Sequence, residues 1–596
     1  MVGWRVLLMW LVLVAACDNA AAQQPAAPDD HGAVAWQEFS DATFQLAARE
    51  HRYVLLHMAA VWCHWCHVME QTTYRDPAVL ALIKRKFIPV RVDQDERPDL
   101  SYRYERWGWP ATIMLDAQGN EIFRRQGYLP PDVFAHLLQA VIDDPSPLPD
   151  ANWQPVPDPA VPRLSDARRA VLQKIYLQAY DKDHGGFGES QRYLHQEDVE
   201  YALARAGESG PWADIAQRSL NGARQLIDPV WGGMFQYSEG PDWDKPHYEK
   251  LLNVQLAAAR LFSQAYAQFH DPADLEAAKS IATYLLGHMR SAEGAFYATQ
   301  DADVSPTMHG KDFYALDDVA RRKTRHPRID THLYARENGW AIAALAAYFD
   351  VSGDKAALDA AIAATRWVEA NRRLGESGFA HGSAAEDDAY LADSIAMAEA
   401  FLALYRSTAD RAWLERSLQT ARYIVAHFAD AKGGFVAQRI RPDARGMLAK
   451  PVKQLDENVA TVRLLNLLAA YSGDPALRDA ARQGMAYLAA FAAEDFFVPG
   501  ILLADREIAG EPVHITIVGH KDDPAAAALY AAARGYPTRY LRIEWWDRRE
   551  GKLPNNDIEY PEFDRPAAFA CAQNFCSLPV FDAAGIAAQV DAVSRR

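Results

Sequence analysis

Cysteine is scarce in this chain: 596 residues contain five, Cys17, Cys63, Cys66, Cys571 and Cys576. That is too few for a fold held together by disulfides, yet they fall as one lone residue and two close pairs. Positive charge is the minority, 62 Lys and Arg against 79 Asp and Glu, and the net charge of −17 repels phosphate backbones and anionic lipid. No nucleic-acid partner is expected. After Ala35 no apolar run has the length and purity of a membrane span, and no segment is dominated by low complexity, which excludes a polytopic, a collagen-like or a wholly disordered chain. What is there is ordinary globular material, 50% hydrophobic and 24% charged, in a length that calls for several domains.

The first residues read as an export signal. One positive charge at Arg5 precedes the apolar run Val6–Ala16, and Val14-Ala15-Ala16-Cys17 resembles a bacterial lipobox, where small residues fit the peptidase and the thiol accepts diacylglycerol. The pattern predicts a signal peptide over 1–17 and a lipid on Cys17, with membrane contact only through that anchor; cleavage near Ala20–Ala22 would instead give a soluble secreted protein. Either route exports the body of the protein, to the periplasm or beyond, into a space that permits disulfides.

Residues 18–35 read as a linker, and 143–163, with seven prolines, as a second. Between them, 36–142 has α/β order: strand candidates at Arg52–Met58 and Phe87–Val92, helical spacing from Cys66 to Lys86 with a break near Asp76-Pro77, a hairpin from Ala111–Leu115 to Glu121–Arg125, and a closing helix at Pro131–Ile142. From 164 to 500 the chain turns Ala- and Leu-rich at helical period. Gly185-Gly186-Phe187, Gly232-Gly233-Met234-Phe235, Gly294-Ala295-Phe296, Ser377-Gly378-Phe379 and Gly433-Gly434-Phe435 recur at intervals of 47 to 84 residues. They read as helix-ending turns plugged by an aromatic ring, and about six helical hairpins of this length can close into an (α/α)6 toroid. Residues 501–596 revert to a small C-terminal α/β domain, with strands near Val513–Gly519 and Tyr540–Glu544 and a helix at Pro524–Ala533.

The chemistry concentrates at Cys63-His64-Trp65-Cys66-His67, where a strand gives way to a helix. A helix N-terminus presents unpaired N–H groups and the positive end of the dipole, which stabilises a thiolate, as would His64 or His67 when protonated. The spacing suits Cys63 as attacking and Cys66 as resolving thiol of a thiol–disulfide exchanger acting on protein thiols or disulfides. Three other readings stand beside it. Cys-x-x-Cys-His is a haem-attachment motif; two Cys and two His could hold zinc, although ligands this close in sequence rarely close a tetrahedron without a distant second pair; and the pair could be a structural disulfide. The exchange reading calls for no cofactor and no metal.

Cys63-His-Trp-Cys-His-Val-Met-Glu70, Val92-Asp-Gln-Asp-Glu-Arg-Pro-Asp99 and Gly108-Trp-Pro-Ala-Thr112 together resemble the thioredoxin-like domain of the spermatogenesis-associated protein 20 family. The resemblance implies that Pro110, 47 residues after Cys63, is a cis proline beside the dithiol. It continues through Gly185-Gly-Phe-Gly188, Trp243-Asp-Lys-Pro-His-Tyr-Glu-Lys-Leu-Leu252 and Asp301-Ala-Asp303, with weaker echoes at Asn338-Gly339, Leu391-x-Asp393, Asp456-x-Asn458 and Cys571–Val580. The implied fold class is multidomain: a thioredoxin-like domain, a toroid like those of six-hairpin glycosidases and sugar 2-epimerases, and the α/β tail.

Departures weaken any inherited ligand specificity. The family's Ala-Pro-Lys-Phe-Pro block is Glu189-Ser-Gln-Arg-Tyr193 here, and its Trp-Asn-Gly is Glu337-Asn338-Gly339. The likeness to sugar-acting toroids still implies a sugar ligand. Asp301, Asp303, Asp393 and Asp456 are the types needed for paired carboxyl chemistry, and His247 and Glu249 for the general bases of an epimerase, though Asp and His at such helix ends also serve as caps or sit buried and satisfied. Cys571 and Cys576 read as a structural disulfide or, alternatively, as a second redox pair communicating with Cys63.

Overall fold

The computed structural model describes residues 34–149, 157–158, 160–188, 190–375, 377–382, 389–442, 444–561, 563–572 and 575–594. The expected signal peptide, Cys17 and most of the first linker lie outside the described residues. Among those described, no helix is long and apolar enough to cross a membrane.

The N-terminal unit begins with α1 (Asp41–Glu50), which the sequence pattern did not reveal, and β1 (Tyr53–Ala59). All of β1 after Tyr53 is buried, with no polar alternation, because helices cover both faces of the sheet. β1 lies parallel to β2 (Phe87–Asp93) and antiparallel to β3 (Ala111–Leu115), which pairs with β4 (Glu121–Gln126), giving the order β2-β1-β3-β4. Between β1 and β2 run α2 (His64–Gln71) and α3 (Pro77–Lys86). The break at Asp76-Pro77 is an N-cap: the Asp76 carboxylate accepts from Ala78 N and Val79 N at 2.9 and 3.1 Å, with proline at the first helical position. α4 (Pro98–Tyr104) follows β2, and α5 (Pro131–Asp143) closes this thioredoxin-like arrangement.

The helical part is a closed toroid. Outer helices α6 (Asp166–Ala179), α8 (Trp212–Ala223), α10 (Pro272–Tyr284), α14 (Lys355–Asn371), α16 (Arg411–Phe428) and α18 (Pro475–Phe491) each lead into an inner helix: α7 (Gln196–Leu203), α9 (Leu252–Phe269), α13 (Ala335–Ser352), α15 (Leu391–Thr408), α17 (Leu455–Ser472) and α19 (Pro499–Ala509). Two short helices, α11 (Gly310–Tyr314) and α12 (Asp318–Lys323), sit in the loop between α10 and α13. The inner helices touch in the cyclic order α7, α9, α13, α15, α17, α19 and back to α7. Small residues allow the close approach; a Cβ on Gly339 of α13 would come within 2.6 Å of the Ala396 backbone on α15.

The two ends of the toroid are built differently. At one end, four of the five links from an inner to an outer helix have two residues, a left-handed residue followed by an Asp cap: His270-Asp271, Gly353-Asp354, Ala409-Asp410 and Gly473-Asp474. At the other end the links are long and carry the glycine–aromatic turns. Here the fourth residue of an inner helix clamps the turn with an amide: Gln255 holds Met234, Asn338 holds Phe296 and Asn458 holds Phe435, each accepting from the turn's N–H and donating to its carbonyl. The echoes at Asn338 and Asn458 are therefore turn chemistry. Strands of two or three residues also form among these links, in a region whose sequence carries almost no strand signal.

The C-terminal unit holds strands Val513–Val518, Leu541–Trp546, Ala567–Ala572 and Phe575–Cys576, with α20 (Pro524–Arg534) and α21 (Ile586–Ser594). Val513–Val518 is parallel to Leu541–Trp546 and antiparallel to Ala567–Ala572, which pairs with Phe575–Cys576. Order and sense are those of the N-terminal sheet. This unit covers the short-link end: Tyr530 Oη donates to Arg406 O (2.9 Å), Lys521 Nζ to Ala409 O (2.6 Å) and Tyr471 Oη to Leu541 O (3.1 Å). The N-terminal unit covers the long-link end, where Arg103 Nη2 donates to Lys450 O (2.6 Å) and Arg336 Nη1 to Tyr102 Oη (3.1 Å). An 18-residue inner helix, about 27 Å long, separates the two covers.

Candidate functional site

Cys63 is the N-cap of α2, with its Sγ accepting from Cys66 N at 3.1 Å, and the two form a disulfide with Cα atoms 5.3 Å apart. The loop before them is held from the end of β2: Val61 N donates to Asp93 Oδ2 (2.9 Å) and Trp62 Nε1 to Asp95 Oδ2 (3.0 Å). Burial pushes Asp93 up to about 6, helped by the charge of Asp330, and raises Asp95 as well. The Trp109-Pro110 bond that leads into β3 is cis. Trp62, Trp109, Cys63 and Cys66 share one apolar cluster with Leu251 and Val254 of the toroid. Cys63 is thereby left 4% exposed and Cys66 fully buried, while Trp65 between them stands 51% exposed.

The sequence-expected sites, read apart as a dithiol and a toroid, meet at this seam. His64 Nδ1 lies 2.8 Å from Asp303 Oδ2, and His67 Nδ1 3.8 Å from Asp301 Oδ2. Asp303 also accepts from Gly310 N (2.8 Å) and faces His309 Nδ1 at 3.3 Å. Asp301 accepts from Asp303 N at 3.2 Å. Glu249 is buried, its Oε2 without a hydrogen-bond partner among the described residues and 3.8 Å from His247 Nδ1. His247 is half-buried, stacks on Tyr237 and meets Glu239 at 2.8 Å.

The environments push these groups apart. The hydrogen bond to Asp303 raises His64 against the lowering effect of burial. Burial lowers His67. Burial alone would raise Asp303, but His64 and the Gly310 amide hold it below the usual carboxylate range. Burial pushes Asp301 up to about 7 and raises Glu249 too. A paired imidazole and carboxylate, His64 and Asp303, thus sit beside carboxyls that burial pushes the other way, Asp301 and Glu249, next to the helix that carries the dithiol.

The remaining candidates lie elsewhere. Asp393 is fully buried and structural: Oδ1 accepts from Arg336 N (2.7 Å) at the start of α13 and from His381 Nδ1 (2.9 Å). His381 in turn reaches Asp95 O at 2.7 Å, completing a chain from toroid to dithiol loop. Asp456 lines a cavity of about 630 Å³ inside the toroid with Glu197, Arg260, Trp340, Glu399 and Arg463. Burial pushes Glu197 up to about 8 and Glu399 to about 7. Sequence reasoning missed His309, His381, Leu251 and these two glutamates. His309 alone carried a local signal, six residues after Asp303 in one loop.

Cys571 and Cys576 form a disulfide directly across the hairpin of the C-terminal sheet. That unit packs on the far end of the toroid, so the pair does not contact Cys63 in this arrangement.

Residues 27–143 match the family model described as "Protein of unknown function, DUF255", a thioredoxin-like family. Mouse spermatogenesis-associated protein 20 is 24% identical over 310 residues, 46% of this chain. The matched stretch spans 39% of the mouse protein's length. The resemblance drawn from the motifs is thus carried by direct sequence matches. Among solved structures, D-mannose isomerase is 12% identical with a TM-score of 0.45, covering 58% of this chain and 96% of that one. A thioredoxin from Thermus thermophilus is 25% identical with a TM-score of 0.18, covering 19% and 88%.

Proposed function

We propose that this protein is a thiol–disulfide oxidoreductase whose toroid forms one wall of the active site and selects the partner. The carrying observation is the placement of Cys63–Cys66 at the start of α2, in one apolar cluster with Trp109 of the cis Trp109-Pro110 bond and with Leu251 and Val254 of the toroid. In the reducing direction, the Cys63 thiolate attacks one sulfur of a substrate disulfide, a mixed disulfide forms and one substrate thiolate leaves. The Cys66 thiolate then attacks Cys63 Sγ and expels the second substrate thiol, so two electrons pass to the substrate and the Cys63–Cys66 bond closes. The reverse sequence oxidises a substrate dithiol.

The burial of Cys63 gives the toroid its role: a partner reaches the sulfur only where the seam admits it. In this reading residues 36–142 carry the chemistry, 164–500 select, and 501–596 close the far end. The exported, disulfide-permissive space expected from the N-terminal sequence suits such an enzyme. The test is turnover of a small disulfide and of a disulfide-bonded protein. Cys63→Ser should abolish exchange while leaving the circular dichroism spectrum intact; wild-type protein inert towards both substrates would refute the assignment.

A second reading is supported by the cavity around Asp456. Buried carboxyls held near neutrality beside Trp340 suit a sugar, whose ring stacks on an aromatic face while its hydroxyls bond to carboxyls. Calorimetric titration with mono- and oligosaccharides tests it, and no heat with wild-type protein would remove it. Asp301 and Asp303 do not line this cavity, so carboxyl chemistry there would fall to Glu197, Glu399 and Asp456.

A further inference from the structure

Zinc at the Cys-x-x-Cys-His segment lacked, in the sequence, a second pair of ligands far along the chain. The fold supplies one. Asp303 lies 239 positions from His64, and His309 joins it from the same loop.

We propose that His64, Asp303 and His309 form a binding site for a divalent transition-metal ion that bridges the dithiol domain and the toroid. One ligand atom from each lies within 4.8 Å of the others. His64 Nδ1 and His309 Nδ1 stand 2.8 and 3.3 Å from Asp303 Oδ2. Ligand atoms about 2.0–2.1 Å from a tetrahedral zinc lie about 3.3 Å from one another, a spacing the two partly exposed rings would reach by small rotations. Asp303 is already aimed: the Gly310 amide holds Oδ1 at 2.8 Å and turns Oδ2 towards both rings. Such an outer hydrogen bond is what fixes a ligating carboxylate. Near the trio, Glu249 is 5% exposed with an oxygen that has no hydrogen-bond partner among the described residues, and Asp301 accepts from the Asp303 amide at 3.2 Å. Two imidazoles and a carboxylate select zinc-like ions over calcium or magnesium, which prefer all-oxygen shells.

The ion would bind the imidazole adjacent to Cys63 from one side and the toroid from the other, fixing the seam shut over the dithiol. It displaces the protons on the ligating nitrogens. The inference goes beyond the exchange reading and does not depend on it, because the site can be assayed with the Cys63–Cys66 disulfide intact and no turnover.

The experiment is titration of the oxidised full chain with Zn2+ against a chromophoric chelator, followed by metal analysis after dialysis. The expected result is one zinc per chain, with affinity at least tenfold weaker in both His309→Ala and Asp303→Asn. His309 is half-exposed, so its variant should keep the wild-type melting transition. Cobalt(II) added to wild-type protein gives a check free of any variant: visible d–d bands of a four- or five-coordinate ion are expected. Wild-type protein that takes up no zinc, variants that bind as wild type, or a cobalt spectrum of the hydrated ion alone would each overturn the proposal.

Discussion

The two covers of the toroid share one strand order and one set of pairing senses, yet they present different chemistry. In the N-terminal cover, the turn from central strand to helix carries Cys63-His-Trp-Cys66, and β3 begins directly after Pro110. In the C-terminal cover the corresponding turn is Gly519-His-Lys-Asp-Asp523, and its third strand begins directly after Pro566. There a Cβ on Gly519 would stand 2.9 Å from the Pro566 ring, so strand end and proline close on each other with no sulfur between. The first cover meets the toroid through a seam of imidazoles and carboxylates. The second meets it through bonds to backbone carbonyls and part-buried ion pairs such as Arg539 Nη1 to Glu200 Oε2 at 2.6 Å. Topology sets where a strand–helix turn points, and the residues on it decide whether the contact reacts or only holds.

The comparison breaks first at the sulfurs. Replacing Cys63 with serine should reduce disulfide exchange to background, while the double change Cys571→Ser, Cys576→Ser should leave the rate unchanged; an insulin-reduction or glutathione-disulfide assay separates the two, and equal losses would erase the distinction.

The next largest effect lies at the holding interface. Glu200 is buried between Arg463 and Arg539; burial opposes its ionisation, but the two guanidiniums hold it down to about 2 from an ordinary 4.5. Because the folded value is the lower one, its stabilising contribution is complete above about 4.5 and is lost as pH falls through about 2. Glu200→Gln should cost about 1–2 kcal/mol near neutrality, since it takes the charged partner from part-buried Arg539 while Arg463 keeps its pairing with Glu507. The difference from wild type, read from denaturant melts, should shrink between pH 5 and pH 2, and a constant difference would contradict the pairing.

Of similar size is the effect of the tail disulfide. Closing so short a loop between Cys571 and Cys576 should stabilise by about 2 kcal/mol, measured as the melting shift of the double serine variant. At the seam, Leu251→Ala should raise the alkylation rate of Cys63 in the reduced protein by a few-fold, because it removes part of the apolar contact that keeps the sulfur covered.

Much of this was legible from sequence because it is local. Cys-x-x-Cys spacing, the break at Asp76-Pro77 and the glycine turns each depend on neighbours a few residues away, and helical period with Ala-rich faces announced the toroid. The seam was not legible. His64 and Asp303 pair across 239 positions, and no periodicity links a helix start in one domain to a loop in another. The same gap explains why Asp301 and Asp303 read as carboxyls for a sugar: type and motif were visible, but what would cover them was not. In the tail, the alternation near Val513–Gly519 announced a strand, but not which strands flank it, so its likeness to the N-terminal sheet emerges only from the pairing. Asp393 shows the converse, a motif residue whose contacts are a helix cap and a buried histidine.

The central claim is that Cys63 is the attacking sulfur and that the toroid wall governs what reaches it. The most direct test is a Cys66→Ser variant, reduced and then exposed to a disulfide-bonded protein, with the adduct located by peptide mass. A mixed disulfide accumulating on Cys63, and released by reductant, is the predicted result. No adduct, or an adduct on Cys571 or Cys576 in place of Cys63, would contradict it.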